Sequence, residues 1–210
     1  MRYLDYFLQL KCAGDVLNAC GPLSRPAKEI SEAVATVLRA RKFVLERRDR
    51  PVVWIDLCSG NALVPVLAAH LFPNVQALAV DKHPRKRDWG AVRRFTYVAG
   101  DINDDGLVEA LLKPHGRESL VVSSVHPCGD LARRVIEVYR RAPQREKVLV
   151  LVPCCVGRLP YAPRVAIRGL SKYHLWGLAL AHSLGEGVRV KADRHILSPQ
   201  NLVLYDERTP

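Results

Sequence analysis

From residue 51 onward, short apolar runs alternate with stretches in which apolar residues recur every three or four positions. The runs are rich in Val, Leu and Ile and lack a strict polar alternation, as expected of strands buried on both faces. They fall at 51–57, Val75–Val80, Phe95–Val98, Leu120–Val125 and Val148–Val152, with two more at Val188–Val190 and Leu202–Tyr205. Helices are predicted after Asn61 through Leu71, near Leu107–Leu112, over a segment that places Leu131, Val135, Val138 and Tyr139 on one face, and near Ser171–Leu184. Such alternation predicts an α/β, doubly wound, mostly parallel seven-stranded sheet with helices on both faces. Residues 1–50 read as an N-terminal helical extension and 51–210 as the main domain. The extension begins with a short helix and a loop. A longer helix follows from about Pro26 to Arg48, with Ile30, Val34, Val37, Leu38 and Leu45 on its apolar stripe, Pro26 in its first turn and Ser24 as its cap.

Composition adds three constraints. No stretch is long and apolar enough to span a bilayer, and the opening residues lack the pattern of a signal peptide, so the expected location is the cytoplasm. The formal net charge of +11 favours a polyanionic partner, most simply RNA or DNA. The six cysteines contain no Cys-x-x-Cys pair, which argues against a zinc ribbon.

The chemistry-bearing residues gather at the carboxyl ends of the predicted strands, where open α/β sheets bind ligands. The first strand runs into Asp56-Leu57-Cys58-Ser59-Gly60-Asn61-Ala62. This turn has too few glycines for a phosphate-binding loop, and its leading acid suits a cationic ligand. A dinucleotide site would show Gly-x-Gly-x-x-Gly, which is absent. Asp81 ends the second strand, where a carboxylate can accept two ribose hydroxyls, and Asp101 ends the third, where it can accept from an adenine amino group.

This ordered set over residues 51–205 resembles the class I S-adenosylmethionine (SAM)-dependent methyltransferases, whose fold is Rossmann-like. The resemblance implies SAM as cofactor, with Asp56, Ser59 and Gly60 lining its methionine end, Asp81 holding the ribose and Asp101 beside the adenine. The chain departs from the usual glycine-rich loop at Cys58 and Ala62.

Strand four leads into His126-Pro127-Cys128-Gly129-Asp130, and strand five into Pro153-Cys154-Cys155. These motifs resemble a subgroup with His-x-Cys-Gly and Cys-Cys, which includes tRNA 2′-O-methyltransferases and methyltransferase-like proteins. The zinc-finger segments and Cys-Cys-His-His run of the tRNA family are missing. His126 is the candidate general base, because imidazole titrates near neutrality, with Asp130 orienting it or capping the next helix. Cys128 and Cys154 are also similar in placement to the paired cysteines of RNA cytosine-C5 methyltransferases, although Val125 stands where those enzymes carry an acid. A third reading joins His126, Cys128, Cys154 and Cys155 as zinc-type ligands. The spacing does not single out a metal site, and no metal is assigned.

The acceptor implied by the charge is RNA, tRNA or rRNA, met by the basic groups Lys82/Arg85/Lys86/Arg87, Arg93/Arg94, Arg133/Arg134 and Arg140/Arg141. Tyr161 and Tyr173 are placed either to stack on an exposed base or to pack their loop onto the body. Trp54 belongs to the core. A protein or small-molecule acceptor, and a non-catalytic SAM- or RNA-binding role, are the alternatives.

Overall fold

The computed structural model describes residues 2–83, 85–116, 118–158 and 170–209. Three helices come first: α1 (Tyr3–Leu8), α2 (Ala13–Cys20) and α3 (Pro26–Leu45). Then follow β1 (Val52–Leu57), α4 (Leu63–Leu71), β2 (Val75–Asp81), β3 (Phe95–Ala99), α5 (Asp105–Leu112), β4 (Ser119–Val125), α6 (Leu131–Arg141), β5 (Lys147–Val152), α7 (Lys172–Leu184), β6 (Arg189–Ala192) and β7 (Leu202–Arg208).

The seven strands form one sheet in the order β3-β2-β1-β4-β5-β7-β6. Pairings from β3 across to β5 are parallel, whereas β7 runs antiparallel to both β5 and β6. The sheet is therefore mixed, with one antiparallel hairpin inserted at its β5 edge.

The strand interiors show why the apolar runs are continuous. Successive side chains point to opposite faces, and both faces are covered. Val52 and Trp54 of β1 face a layer of α1–α4, while Val53, Ile55 and Leu57 face α5–α7. Val121 against Val122, and Val148 and Val150 against Leu149 and Leu151, repeat that division in β4 and β5. The first three helices thus share the sheet's own core, with Phe7, Val16, Val34, Val37 and Phe43 fully buried.

On α3, Ile30, Val34 and Val37 are buried as the stripe predicts, whereas Leu45 is exposed. Arg25, not Ser24, is the residue that precedes the helix. Ser24 instead donates its hydroxyl to Glu29 at 3.0 Å, and the Glu29 carboxylate reaches back to accept the Arg25 N–H at 2.8 Å. The carboxylate does the capping because it satisfies an otherwise unpaired amide at the positive end of the helix.

The far end of α3 is pinned to the sheet by Glu146, just before β5. Its carboxylate accepts the Ser119 hydroxyl at 2.7 Å and pairs with Arg47 at 3.0 Å and Arg50 at 2.9 Å. The Ser119 hydroxyl and the two guanidiniums hold its pKa down to about 2 from an ordinary 4.5. A carboxylate with a depressed folded-state pKa stabilises the fold above its unfolded value and loses that contribution as pH falls toward the folded value. Urea unfolding of Glu146→Gln is therefore expected to show a deficit of about 1 to 2 kcal/mol at pH 6, because solvent screens a partly exposed ion cluster. The deficit should shrink steadily between pH 4.5 and pH 2. A deficit independent of pH would mean that the ion cluster contributes nothing.

Candidate active site

Strand order reverses between β1 and β4, since β2 and β3 lie to one side of β1 and β5 to the other side of β4. Connections leave the carboxyl ends of β1 and β4 in opposite directions and open a crevice there. The loops after Leu57 and after Val125 flank that crevice.

The 58–62 turn is tightly wound. Cys58, Gly60 and Ala62 all take left-handed backbone conformations, with φ of 58°, 54° and 58°. Only Gly60 adopts this without a steric cost; a non-glycine residue there carries about 1 kcal/mol of strain or more. The two positions at which the chain departs from a glycine-rich loop are therefore held in a glycine-like conformation.

Hydrogen bonds supply the restraint. The Asp81 carboxylate accepts the Gly60 N–H at 2.8 Å on one oxygen and the His83 N–H at 2.8 Å on the other. Tyr97 donates its hydroxyl to the Gly60 carbonyl at 3.2 Å. Asn61 donates to Glu29 of α3 at 2.9 Å and accepts from Arg87 at 2.8 Å.

Asp56 forms the floor of the crevice and is almost fully buried. It accepts the hydroxyls of Ser59 and Ser123, and Ser123 in turn accepts the Trp54 indole N–H at 2.8 Å. Burial raises the Asp56 pKa to about 7, and the nearby Asp81 charge adds to this, while the two hydroxyls oppose it. Trp54 is thus a core residue, as expected, that also anchors the floor.

Two cavities meet at Cys58. One, of about 450 Å³, lies under the first half of α3 and is lined by Lys28, Glu32, Asp56, Ser59, Gly60 and His126, among others. The second, of about 220 Å³, has Asp81 and Asp101 on its polar side and Val80, Ile102 and Leu131 as apolar walls. Burial, together with the Asp81 and Asp56 carboxylates, pushes the Cys58 thiol up to about 12, so it is a neutral wall and not a nucleophile. Asp101 is held below the usual carboxylate range by the Asn103 N–H and by Lys82, whose ammonium lies 2.9 Å away.

His126 follows β4 in a left-handed conformation, φ 60°. Its Nε2 lies 2.6 Å from the Glu32 carboxylate and 2.8 Å from the Lys28 ammonium. One ring nitrogen cannot donate to the first and accept from the second. The shorter, charge-assisted contact takes the proton, so Nε2–H donates to Glu32, and Lys28 pairs with the same carboxylate at 3.0 Å. In the neutral ring Nδ1 is then the lone-pair nitrogen. It is buried and has no hydrogen-bond partner among the described residues.

Asp130, expected to orient His126 or to cap the next helix, makes neither contact. Its backbone is already helical, φ −70° and ψ −12°, where a capping side chain cannot turn back onto the helix amides. The carboxylate accepts the Arg158 N–H at 3.0 Å instead. Gly157 permits this contact, since a Cβ there would lie 2.7 Å from the Asp130 carboxylate. Glu32 holds the position beside His126 that was assigned to Asp130. Sequence reading missed it because it arrives on a different helix. The available signal was a polar line through Glu29, Glu32 and Thr36 beside the apolar stripe of α3.

The loops after β4 and β5 bring three thiols together. Cys128 and Cys154 Sγ are 3.6 Å apart, Cys154 and Cys155 3.5 Å, and Cys155 and Cys128 3.9 Å. Burial and the neighbouring thiols drive the Cys154 pKa well above its ordinary value. His126, turned onto Glu32, is not part of this group.

Several arginines of the basic groups also bond within the protein. Arg87 donates to the Gly21 carbonyl, Arg94 to Ala69, Arg134 to Ile102 and Arg140 to Ser183, and Arg134 and Arg141 share Asp105. These side chains close carbonyls and carboxylates left over at element ends. Arg85, Lys86 and Arg93 are exposed. Tyr173 takes the packing alternative, donating to the Pro153 carbonyl at 2.9 Å and accepting the Leu202 N–H at 3.1 Å. Tyr161 lies outside the described residues. No described helix is long and apolar enough to cross a membrane.

The sequence matches no family model and no curated protein. Among solved structures, the CurJ carbon methyltransferase superposes with a TM-score of 0.53 at 12% identity, covering 89% of this chain and 56% of that one. The antibiotic-resistance methyltransferase Kmr gives a TM-score of 0.47 at 19% identity over 81% of this chain and 91% of its own. The 16S rRNA (adenine(1408)-N(1))-methyltransferase from Catenulisporales acidiphilia gives 0.45 at 18% identity over 80% and 92%. The superposition on CurJ shows that this chain has the fold of a methyltransferase domain, built on its seven-stranded α/β sheet.

Proposed function

We propose that this protein is a SAM-dependent methyltransferase whose acceptor is RNA. The observation that carries the cofactor reading is the set of three carboxylates, Asp56, Asp81 and Asp101, at the ends of three adjacent parallel strands around the 58–62 turn. The two cavities fit the parts of that cofactor. The smaller has apolar walls for a planar base and two carboxylates for its polar edge and sugar. Both Asp81 oxygens already accept backbone amides, but a carboxylate has about four acceptor positions, which leaves room for two hydroxyls. The larger cavity ends on Asp56 and Ser59 at the 58–62 turn, oxygen acceptors that suit an amino group.

When bound, SAM supplies an activated methyl group for in-line displacement. This chain's residues would position the acceptor and remove its proton. His126 Nδ1 is suited to the second task. It is buried and has no hydrogen-bond partner among the described residues, an arrangement that calls for a ligand group. Glu32 holds the ring in the tautomer that keeps Nδ1 free and stabilises the imidazolium after proton uptake. Cys128 and Cys154 adjoin this region without contacting His126.

The choice of RNA rests on the net charge of +11, with exposed Arg85 and Lys86 following Asp81 in the chain. Incubation with methyl-labelled SAM and hypomethylated total RNA is expected to give nuclease-sensitive incorporation that weakens steeply with added salt. Digestion to nucleosides then identifies the methylated atom. SAM binding without incorporation into RNA would sink the RNA assignment and leave a protein or small-molecule acceptor.

A further inference from the structure

We propose that Cys128, Cys154 and Cys155 form a binding site for a thiophilic divalent cation, with zinc the best fit, that leaves one coordination position open. The inference stands apart from the methyltransferase reading, because it rests on the thiols alone.

Four features carry it. The Sγ–Sγ separations of 3.5, 3.6 and 3.9 Å bracket the edge of a tetrahedron. Zinc–sulfur bonds of about 2.3 Å place tetrahedral sulfurs about 3.8 Å apart. All three cysteines are free, so the proximity is not that of a disulfide. The backbone is built for the approach: Gly129 is left-handed at φ 55°, and a Cβ placed on it would sit 3.9 Å from the Gly157 Cα, so the two cysteine-bearing loops meet at a pair of glycines. Cys128 also precedes the eleven-residue helix α6, whose Leu131 N–H bonds to the Cys128 carbonyl. That hydrogen bond fixes the Cys128 backbone at the start of α6.

The coordination number follows from what else is at hand. No fourth His, Cys, Asp or Glu atom joins the group among the described residues. The remaining positions, 1, 84, 117, 159–169 and 210, carry none of those four types. Cys128 and Cys155 are exposed. Three protein ligands with a solvent-facing fourth position are the pattern of reactive zinc sites, in contrast with closed structural ones.

The full chain, purified under reducing conditions and dialysed against excess zinc and then buffer, is expected to retain one zinc per chain by mass spectrometry. Replacement by cobalt should give intense thiolate-to-metal charge-transfer bands and tetrahedral ligand-field bands. A small thiol added to the cobalt form should shift those bands by entering the open position. Cys155→Ser and Cys128→Ser should weaken zinc binding at least tenfold, whereas Cys12→Ser, far along the chain in the first helices, should not. The cobalt spectrum of the unaltered protein counts the sulfurs even if a variant folds poorly. Sub-stoichiometric zinc, a cobalt spectrum without charge transfer, or a Cys128–Cys154 disulfide in the freshly purified chain would overturn the site. An unshifted cobalt spectrum on thiol addition would overturn the open position.

Discussion

Asp81→Ala is expected to weaken SAM binding by about two orders of magnitude. Two hydrogen bonds from hydroxyls to a charged acceptor contribute about 1.5 kcal/mol or more each, so losing both costs about 3 kcal/mol. The carboxylate also holds the Gly60 and His83 amides, and its removal frees a turn whose Cys58 and Ala62 are strained. Asp81→Asn removes the charge with little change of shape. An amide keeps one acceptor oxygen but turns an NH₂ toward the other backbone N–H, so it should lose affinity almost as fully. Calorimetric titration with SAM, alongside thermal unfolding of each variant, provides the check. An affinity within threefold of the parent in a folded Asp81→Ala protein would mean that the cofactor is not held at β2.

Glu32→Gln is expected to lower methyl transfer by two to four orders of magnitude while SAM affinity stays within a few-fold. The range is that of general-base catalysis. The glutamine side chain fills the same space, so packing under α3 is preserved. It removes the charge that opposes the imidazolium, and it offers Nε2 a neutral partner that can bond either tautomer. Lys28, now 2.8 Å from Nε2 with no carboxylate to share, would compete for the ring nitrogen and drive the proton to Nδ1. The pH dependence of turnover separates this from mere structural damage. Glu32→Gln and His126→Ala should each alter the acidic limb of activity, where a general base is protonated, and the double variant should be no worse than either alone. Additive losses would show that the two residues do not act as a unit.

Much of this was legible in the chain itself, for reasons that are local. Strands buried on both faces need uninterrupted apolar runs, and β1, β4 and β5 declare themselves so. Parallel strands end on the same side of a sheet, so acids at the ends of β1, β2 and β3 had to converge once the alternation was read. The glycine-like turn could be located but not its shape, since Cys58 and Ala62 reach left-handed conformations only under restraint by Asp81 and Tyr97. What remained hidden came from separation along the chain. Glu32 and His126 are 94 positions apart and meet only because α3 lies across the β1/β4 crevice. The arginine pairs read as a nucleic-acid surface, and the sequence does not show which of them also reach carbonyls. Arg87, Arg94, Arg134 and Arg140 each find one. Cys128 and the Cys154–Cys155 pair were visible as residue types, but their contact depends on Gly129 and Gly157 allowing two loops to touch.

The placement of α3 also limits how the crevice can breathe. Its last turn is clamped by Glu146, and its first half is tied down through Ser31, whose hydroxyl oxygen accepts the Leu197 N–H at 2.9 Å. Its inward face is part of the core, so lifting it would unfold a layer. Whatever occupies the cavity under α3 must therefore fit beneath a helix that does not lift. The first helices make this a cleft with a fixed roof, and substitutions meant to enlarge it belong outside α3.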